Sequence, residues 1–582
     1  MLFAVRSATA LHRLLDVLPV FAGDERIRRR FTLVPGSEFG VDALAAIERA
    51  GAHVLPWAEA CGRAHDLVLA ASPKGELERL SGPRVLLPHG AGFNKAVPEG
   101  GSADGGAADG SSADGGSADS ASGLDPALLL RSGRPLARLH ALAHPSQLDR
   151  LAAECPDAAA RATVTGDPTF DRVLESLPLR ERYRAALRTD GRTLVVLTST
   201  WGPESLLARR PGLPAALTAH FPLDSYQFAL VLHPNEHNRT GEFDLAEQLA
   251  PALAAGLVVA RPHEEWAAVL VAADAVVTDH GSAALYAAAA RDVPVIAACD
   301  GGGEVIPGTP MAQLLSMAPV LEHADDLERA LAAHRPAHAR ALAEPAFAER
   351  GRALPRLREE LYHLLGLDPH PSSPVTARPL PDPAPSARTL TSRTAFAAFA
   401  AFAVRVDLDA PAPGRDGAPV PVRVRVERRP PGGDGPLHHL AAEHGAAGER
   451  QLHSAGLIYR RAASRPARGE SWTVGAWTTQ VLAAYPGPRT AAVVLDGSRC
   501  VLRETGGALL TLTVEPDRSD EGRVRRADPA AVLSAAHAWL RELEEGEDVH
   551  LLPIALTCAL GGRTYAARLA VATEDEALLE FQ

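Results

Sequence analysis

Along residues 1–367 the apolar positions alternate between two rhythms. Short unbroken apolar runs fit strands buried on both faces, and longer stretches with apolar residues every three or four positions fit crossover helices. Strands are predicted at Leu2–Arg6, Phe31–Val34, His53–Leu55, Leu67–Ala71, Arg84–Leu87 and Leu136–Ala143, with helices at Leu11–Phe21, Val41–Ala50 and Ser146–Ala153. The rhythm restarts with strands at Leu194–Thr198, Phe228–Leu232, Leu257–Ala260, Ala275–Thr278 and Val293–Ala297, and helices at Asp325–Ala333 and Leu357–Leu365 close the series. Two such halves predict an α/β fold of two Rossmann-type domains, over 1–175 and 176–367, with a cleft between them for a small ligand.

Prolines at 369, 371, 374, 379, 381, 383 and 385 mark residues 368–390 as a stiff, extended linker. Beyond it the rhythm changes to apolar–charged alternation, giving strands at Ala401–Leu408, Val422–Val426, Gly456–Arg460, Trp472–Trp477, Ala491–Leu495 and Leu509–Val514. The spacing of Trp472 and Trp477 puts them on opposite faces of their strand, which favours core packing over ligand stacking. Asp528 then reads as the N-cap and Pro529 as the first residue of a helix presenting Val532, Ala536, Trp539, Leu540 and Leu543 on one face. Residues 391–582 are therefore predicted to form a smaller α+β domain around a strongly bent antiparallel sheet.

Composition narrows the classes. A chain of 582 residues exceeds a single core, and a net charge of -12 argues against nucleic acid as a partner. The five cysteines, Cys61, Cys155, Cys299, Cys500 and Cys558, are scattered without a C-x-x-C pair, so they give no disulfide framework and no zinc site. No apolar run is long enough to span a bilayer and no basic segment precedes the apolar start; a cytoplasmic protein is expected, with peripheral membrane association left open. Residues 99–124, rich in Gly, Ser, Ala and Asp, read as a disordered insert within the first domain. Only two lysines and three asparagines occur, and Asn94, Lys95, Asn235 and Asn238 all follow histidine turns.

Four stretches at the carboxyl ends of predicted strands carry candidate chemistry. His89-Gly90 with Asn94 and Lys95 offers a base and a phosphate-binding cation. Thr198-Ser199-Thr200-Trp201-Gly202 offers small hydroxyls before a glycine. His233 begins a His-Pro turn. Asp279-His280-Gly281-Ser282 leads straight into an alanine-rich helix whose N-terminus suits an anion, with Asp279 compatible only if it turns to the backbone or a sugar hydroxyl. Each also has a structural reading, as a loop histidine or a capped turn.

The order of strand-His89-Gly90, Gly166-Asp167-Pro168-Thr169-Phe170-Asp171, the Thr198–Gly202 loop, His233-Pro234 and Thr278–Ser282 with Val293-Pro294-Val295-Ile296 resembles the CDP-glycerol glycerophosphotransferase family and, more broadly, nucleotide-sugar transferases of the GT-B fold. The resemblance covers about residues 1–367. It implies a GT-B-like pair of domains, the first for the acceptor and the second for a nucleotide-diphosphate donor, with no cofactor and no essential metal. Its acceptor would be a polyol, a sugar or a cell-envelope precursor. It implies His89 as the catalytic base and His233 and Ser282 as donor-phosphate positions; with Lys95, Thr198, Ser199, Thr200, Asp279, His280 and Gly281 from the four stretches, these make up the candidate donor-binding set. Two positions depart from the family pattern: Asn94 stands where a lysine is usual, and Tyr286 where an acidic residue would hold the donor ribose. A catalytically silent nucleotide-binding or scaffold protein is the alternative, and a sugar epimerase using Asp167, Asp279 or Glu304 is another.

Overall fold

The computed structural model describes residues 1–36, 40–87, 91, 95–96, 124–261, 265–370, 375–384, 399–409, 421–432, 437–462, 471–518, 522–542 and 552–581. His89, Gly90, Asn94, Leu543 and the insert up to residue 123 lie outside this set. The chain forms two compact units: Met1–Pro214, Phe228–Leu249 and Val258–Ser386 make the first, and Ala215–Gln227, Ala250–Leu257 and Ala387–Gln582 the second.

In the first unit, one sheet has the strand order Arg30–Leu33, Leu2–Val5, Val68–Ala70, Arg84–Leu86, Leu139–Leu142, Ala162–Val164. All five pairings are parallel. Successive side chains of a strand point to opposite faces, so Phe3, Val5, Leu69 and Val85 join one core while Leu2, Ala4, Val68 and Leu86 join another. Burial on both faces is why these strands read as continuous apolar runs. The predicted helix Leu11–Phe21 is an α-helix over Ala8–Val17 followed by a 3-10 turn at Leu18–Phe21, because Pro19 cannot extend the α-helical ladder.

The second sheet has the order Val258–Val259, Tyr226–Leu232, Thr193–Ser199, Ala275–Thr278, Val295–Ala297. After Thr193–Ser199 the chain adds two strands on one side, then crosses to the other, so the topological switch falls between Thr193–Ser199 and Ala275–Thr278. Two helix-covered parallel sheets in succession are consistent with the GT-B-like pair expected from the sequence. The helix Ala353–Leu365 follows the second sheet yet packs Leu354, Leu357, Leu361 and Tyr362 into the core of the first. Residues 375–384 form neither helix nor strand and are docked on this unit. Leu380 is buried, its carbonyl accepts from Tyr183 Oη at 2.8 Å, its N–H donates to Ser176 Oγ at 2.8 Å, and Ala384 N–H donates to Glu265 at 2.8 Å.

The second unit corrects the α+β expectation. Nine strands close into a barrel, in the order Ala401–Asp409, Val422–Arg429, Ile554–Leu560, Arg563–Val571, Leu509–Val514, Arg499–Glu504, Thr490–Val494, Leu457–Arg461, His439–Glu443. Antiparallel pairing of the last strand with the first completes the ring. Three pairs are parallel, Val422–Arg429 with Ile554–Leu560 and Leu457–Arg461 with each neighbour, so the sheet is mixed. Closure leaves no unpaired edge, a property of the whole ring that no single strand pattern announces. The helix Pro529–Glu542 starts where Asp528 and Pro529 predicted, with Ala530 N–H on Asp528 Oδ1 at 3.2 Å. It shares one core with residues from every strand of the barrel, and residues 530–540 are all buried. The predicted strand Trp472–Trp477 is instead a two-residue strand, Trp472–Thr473, and a helix, Val474–Ala484. Thr473 Oγ1 caps it by accepting from Ala476 N–H at 3.3 Å, and Val474, Trp477, Thr478 and Val481 are buried at helical spacing.

Inside the barrel unit, Val422, Val424, Val426 and Arg428 share one face of their strand, and Arg428 is 1% exposed. Its guanidinium holds Asp224 through Nε at 2.9 Å and a terminal nitrogen at 2.7 Å, and Asp528 at 2.7 Å. These carboxylates hold the Arg428 pKa above its ordinary value despite burial.

Candidate functional site

The switch point of the second sheet gathers most of the residues singled out in the sequence. Thr198 and Thr278 lie side by side in parallel register, and Thr198 Oγ1 donates to Thr278 Oγ1 at 2.7 Å. Ser199 Oγ accepts from Leu207 N–H at 3.2 Å and donates to the Thr200 carbonyl at 3.2 Å. These hydroxyls are engaged internally, with Thr198 and Ser199 buried.

Asp279, fully buried, fastens the two loops of the switch together. Its Oδ2 accepts from Thr200 N–H at 2.7 Å, Thr200 Oγ1 at 2.8 Å and Leu206 N–H at 2.9 Å, and its Oδ1 from Gly281 N–H at 2.9 Å. The carboxylate thus turns to the backbone and itself takes the Gly281 N–H just before the helix start. Gly281 is required by this close approach, since a Cβ there would lie 2.9 Å from Thr200 Cγ2. Ser282 occupies the N-cap position of the helix Ala283–Arg291 in helical geometry and makes no side-chain cap bond. The sequence suggested a capping serine; the structure shows no side-chain cap bond, and the Ser282 hydroxyl is left half-buried at the helix start.

Lys95 joins this cluster from the first sheet's side. Its Nζ is 2.8 Å from Glu304 Oε2 and donates to the Trp201 carbonyl at 3.2 Å, and it sits 4.7 Å from the Trp201 ring centroid. The backbone is stitched to the same segment, with Ala96 N–H on the Glu304 carbonyl at 2.8 Å. Glu304 Oε2 also meets His280 Nε2 at 2.9 Å, so one buried carboxylate serves both groups. His280 Nδ1 is buried and has no partner among the described residues. Glu304, named in the sequence only among epimerase carboxylates, is the hub; the signal lay in Gly301-Gly302-Gly303-Glu304 just beyond the strand Val295–Ala297. Gly301, at φ +77°, lets this turn pass His280: a Cβ would lie 2.8 Å from His280 Cβ.

His233 caps the short helix Pro234–Thr240, its Nδ1 accepting from Asn235 N–H at 3.1 Å, and its ring lies 6.3 Å from that of Trp201. The loop carrying His233 is tied in by His233 N–H on the Ser199 carbonyl at 2.9 Å. The structure therefore brings together Lys95, Thr198, Ser199, Thr200, Asp279, His280, Gly281 and Ser282, with His233 alongside through Trp201. His89 lies outside the described residues.

Two other sequence features prove structural. Tyr286, 1% exposed, donates to Asp167 and accepts from Arg13 at 3.0 Å, within a cage of Phe170, Trp266 and Phe347. Burial pushes its phenol well above the ordinary range, so it stays a neutral donor. The Gly166–Asp171 motif is likewise a fastening: Asp167 caps the helix Pro168–Ser176, and Asp171 accepts from Gly351 N–H at 2.7 Å and Ala353 N–H at 2.8 Å. Asp167 and Asp279 are thus both buried and committed to internal bonds.

Two successive Rossmann-like sheets and a closed barrel are the class that the fold defines. No family model matches the chain, and no curated protein matches it. Among solved structures, the wall teichoic acid polymerase TagF is similar over 63% of this chain and 89% of its own, at 10% identity and a TM-score of 0.41. S. aureus MnaA, solved with UDP, is similar over 64% and 98% at 11% identity and a TM-score of 0.41. Anabaena HepE, in complex with UDP and glucose, is similar over 63% and 99% at 15% identity and a TM-score of 0.36.

Proposed function

We propose that the chain is a transferase that moves a glycosyl or glycerophosphoryl group from a nucleotide-diphosphate donor to a hydroxyl acceptor, without a metal in its mechanism. The observation that carries this reading is the coincidence of the candidate residues with the switch point of the second sheet, where open parallel sheets take their ligands. There the N-terminus of Ala283–Arg291, the Ser282 hydroxyl and Lys95 are all within one cluster and suit a departing diphosphate. His89 takes the acceptor proton, and His233 lies on the donor side.

Calorimetric titration with CDP, UDP and GDP, followed by assay of hydrolysis of the matching CDP-, UDP- or GDP-linked donor, tests the reading. One diphosphate should bind, Lys95→Ala and Ser282→Ala should each weaken it, and His89→Ala should abolish turnover while sparing binding. The reading fails if no nucleotide diphosphate binds, or if His89→Ala turns over at the wild-type rate.

The reading of a silent nucleotide-binding protein draws on a different observation. Glu304 pairs with both Lys95 and His280, so a phosphate must displace a carboxylate before Lys95 can meet it. Binding without hydrolysis of any donor would select this reading.

A further inference from the structure

The barrel unit carries a histidine cluster that the cleft does not involve. His439 opens the strand His439–Glu443, His438 precedes it, and His537 lies on the buried helix Pro529–Glu542. Ligating atoms of the three rings all lie within 4.8 Å of one another. His438 Nδ1 is 2.9 Å from His439 Nδ1, and the His439 and His537 ring centroids are 4.5 Å apart. His439 and His537 are buried and His438 is exposed, so the cluster has one side open to solvent.

Three observations set this cluster apart from histidines that simply fill a core. His439, 6% exposed, has its Nε2 buried and without a hydrogen-bond partner among the described residues. Fully buried Thr490 places Oγ1 2.8 Å from His537 Nδ1, the kind of outer bond that fixes the tautomer and orientation of a metal-binding imidazole and points Nε2 to the ion. Space beside that Nε2 is kept by Gly456, where a Cβ would lie 3.2 Å from it and 3.0 Å from His439 Cβ.

We propose that His438, His439 and His537 form a site for a divalent transition-metal ion of the zinc class, held by three imidazole nitrogens with the fourth position open on the His438 side. An all-imidazole donor set suits zinc, copper, nickel or iron and not magnesium or calcium. Tetrahedral Zn–N bonds place ligand nitrogens about 3.3 Å apart, so the cluster closes onto an ion largely by ring rotation. The site belongs to the barrel unit and is independent of the transfer reaction proposed for the cleft.

The test uses the untagged full chain, stripped with chelator and titrated with Co²⁺ and then with competing Zn²⁺. The expected result is one equivalent of Co²⁺ per chain with the intense visible absorption of a tetrahedral centre, bleached by Zn²⁺. His439→Gln and His537→Gln should each lower affinity at least a hundredfold with unchanged far-UV circular dichroism, and Thr490→Val should lower it by about 10- to 100-fold. If the buried variants do not fold, the exposed His438→Ala decides: a loss of tenfold or more supports the site, and unchanged affinity overturns it. Failure of the wild-type chain to bind either ion stoichiometrically also overturns it.

Discussion

Asp279→Ala removes a carboxylate that bonds both loops of the switch point. Three backbone donors lose their acceptor, Thr200 N, Leu206 N and Gly281 N, along with the Thr200 hydroxyl. A buried donor left unsatisfied costs about 1–3 kcal/mol; taking about 1.3 kcal/mol for each backbone N–H, since Thr200 can recover some solvation, gives about 4 kcal/mol. At 1.4 kcal/mol per factor of ten, amide exchange at Leu206 and Gly281 should accelerate about a thousandfold. Asp279→Asn keeps one acceptor oxygen for the Oδ2 donors and sets its amide against Gly281 N–H, so its cost is about 1–2 kcal/mol. Ser282→Ala, which breaks no cap bond, should stay within about 0.5 kcal/mol of wild type. Hydrogen exchange read by mass spectrometry on peptides spanning 196–210 and 275–290 resolves the three variants locally, without requiring a two-state transition from a two-unit chain. The reasoning is refuted if Asp279→Ala changes exchange less than tenfold, or if Ser282→Ala matches it.

Three further outcomes follow from buried charge and backbone geometry. Arg428→Ala strands Asp224, leaves Asp528 with Arg461 alone, and should destabilise the barrel unit by about 3–5 kcal/mol, seen as a lowered thermal transition. Burial holds the pKa of His140 down to about 4 against an ordinary 6.5. The unfolded chain therefore takes up a proton that the folded chain refuses; stability is fully present above pH 6.5 and falls by about 3 kcal/mol as pH drops to 4, and His140→Leu should flatten urea-midpoint profiles across that window. Gly301→Ala forces a side chain at φ +77°, with its Cβ 2.3 Å from Val305 Cγ2 and 2.8 Å from His280 Cβ; it should cost about 1–3 kcal/mol by thermal unfolding.

The parallel sheets were legible because strands buried on both faces are written as uninterrupted runs such as Leu194–Thr198 and Ala275–Thr278, with glycines and prolines between. Asp528-Pro529 was equally plain, since a cap and a proline at the first helical position act locally. The barrel was not, because closure depends on which strands pair across more than a hundred residues, as Val422–Arg429 does with Ile554–Leu560. Arg428 did sit at an inward position of an alternating strand, but its partners Asp224 and Asp528 are fixed only by the fold. Tyr286 shows the limit at the site itself. Position relative to Ser282 marked it only as a departure from the family's ribose-holding acid, while the side chain turns to Arg13 and Asp167, which are distant in sequence. The barrel histidines are illegible for a similar reason: His438-His439 and His537 lie almost a hundred residues apart, without motif spacing, and meet only in the fold.

On the proposed function, Glu304 sets a threshold for anions at the switch point. Tethered on the same chain and 2.8 Å from Lys95, it is an intramolecular competitor whose effective concentration is in the millimolar range or above. A weak monoanion at lower concentration leaves this pairing intact. On the proposed function, a ligand would succeed by supplying several acceptors at once, to the cation, the helix start and the hydroxyl of Ser282, and the carboxylate would act as a filter on valency. Apparent affinity then falls short of intrinsic affinity by the fraction of molecules in which Lys95 is released.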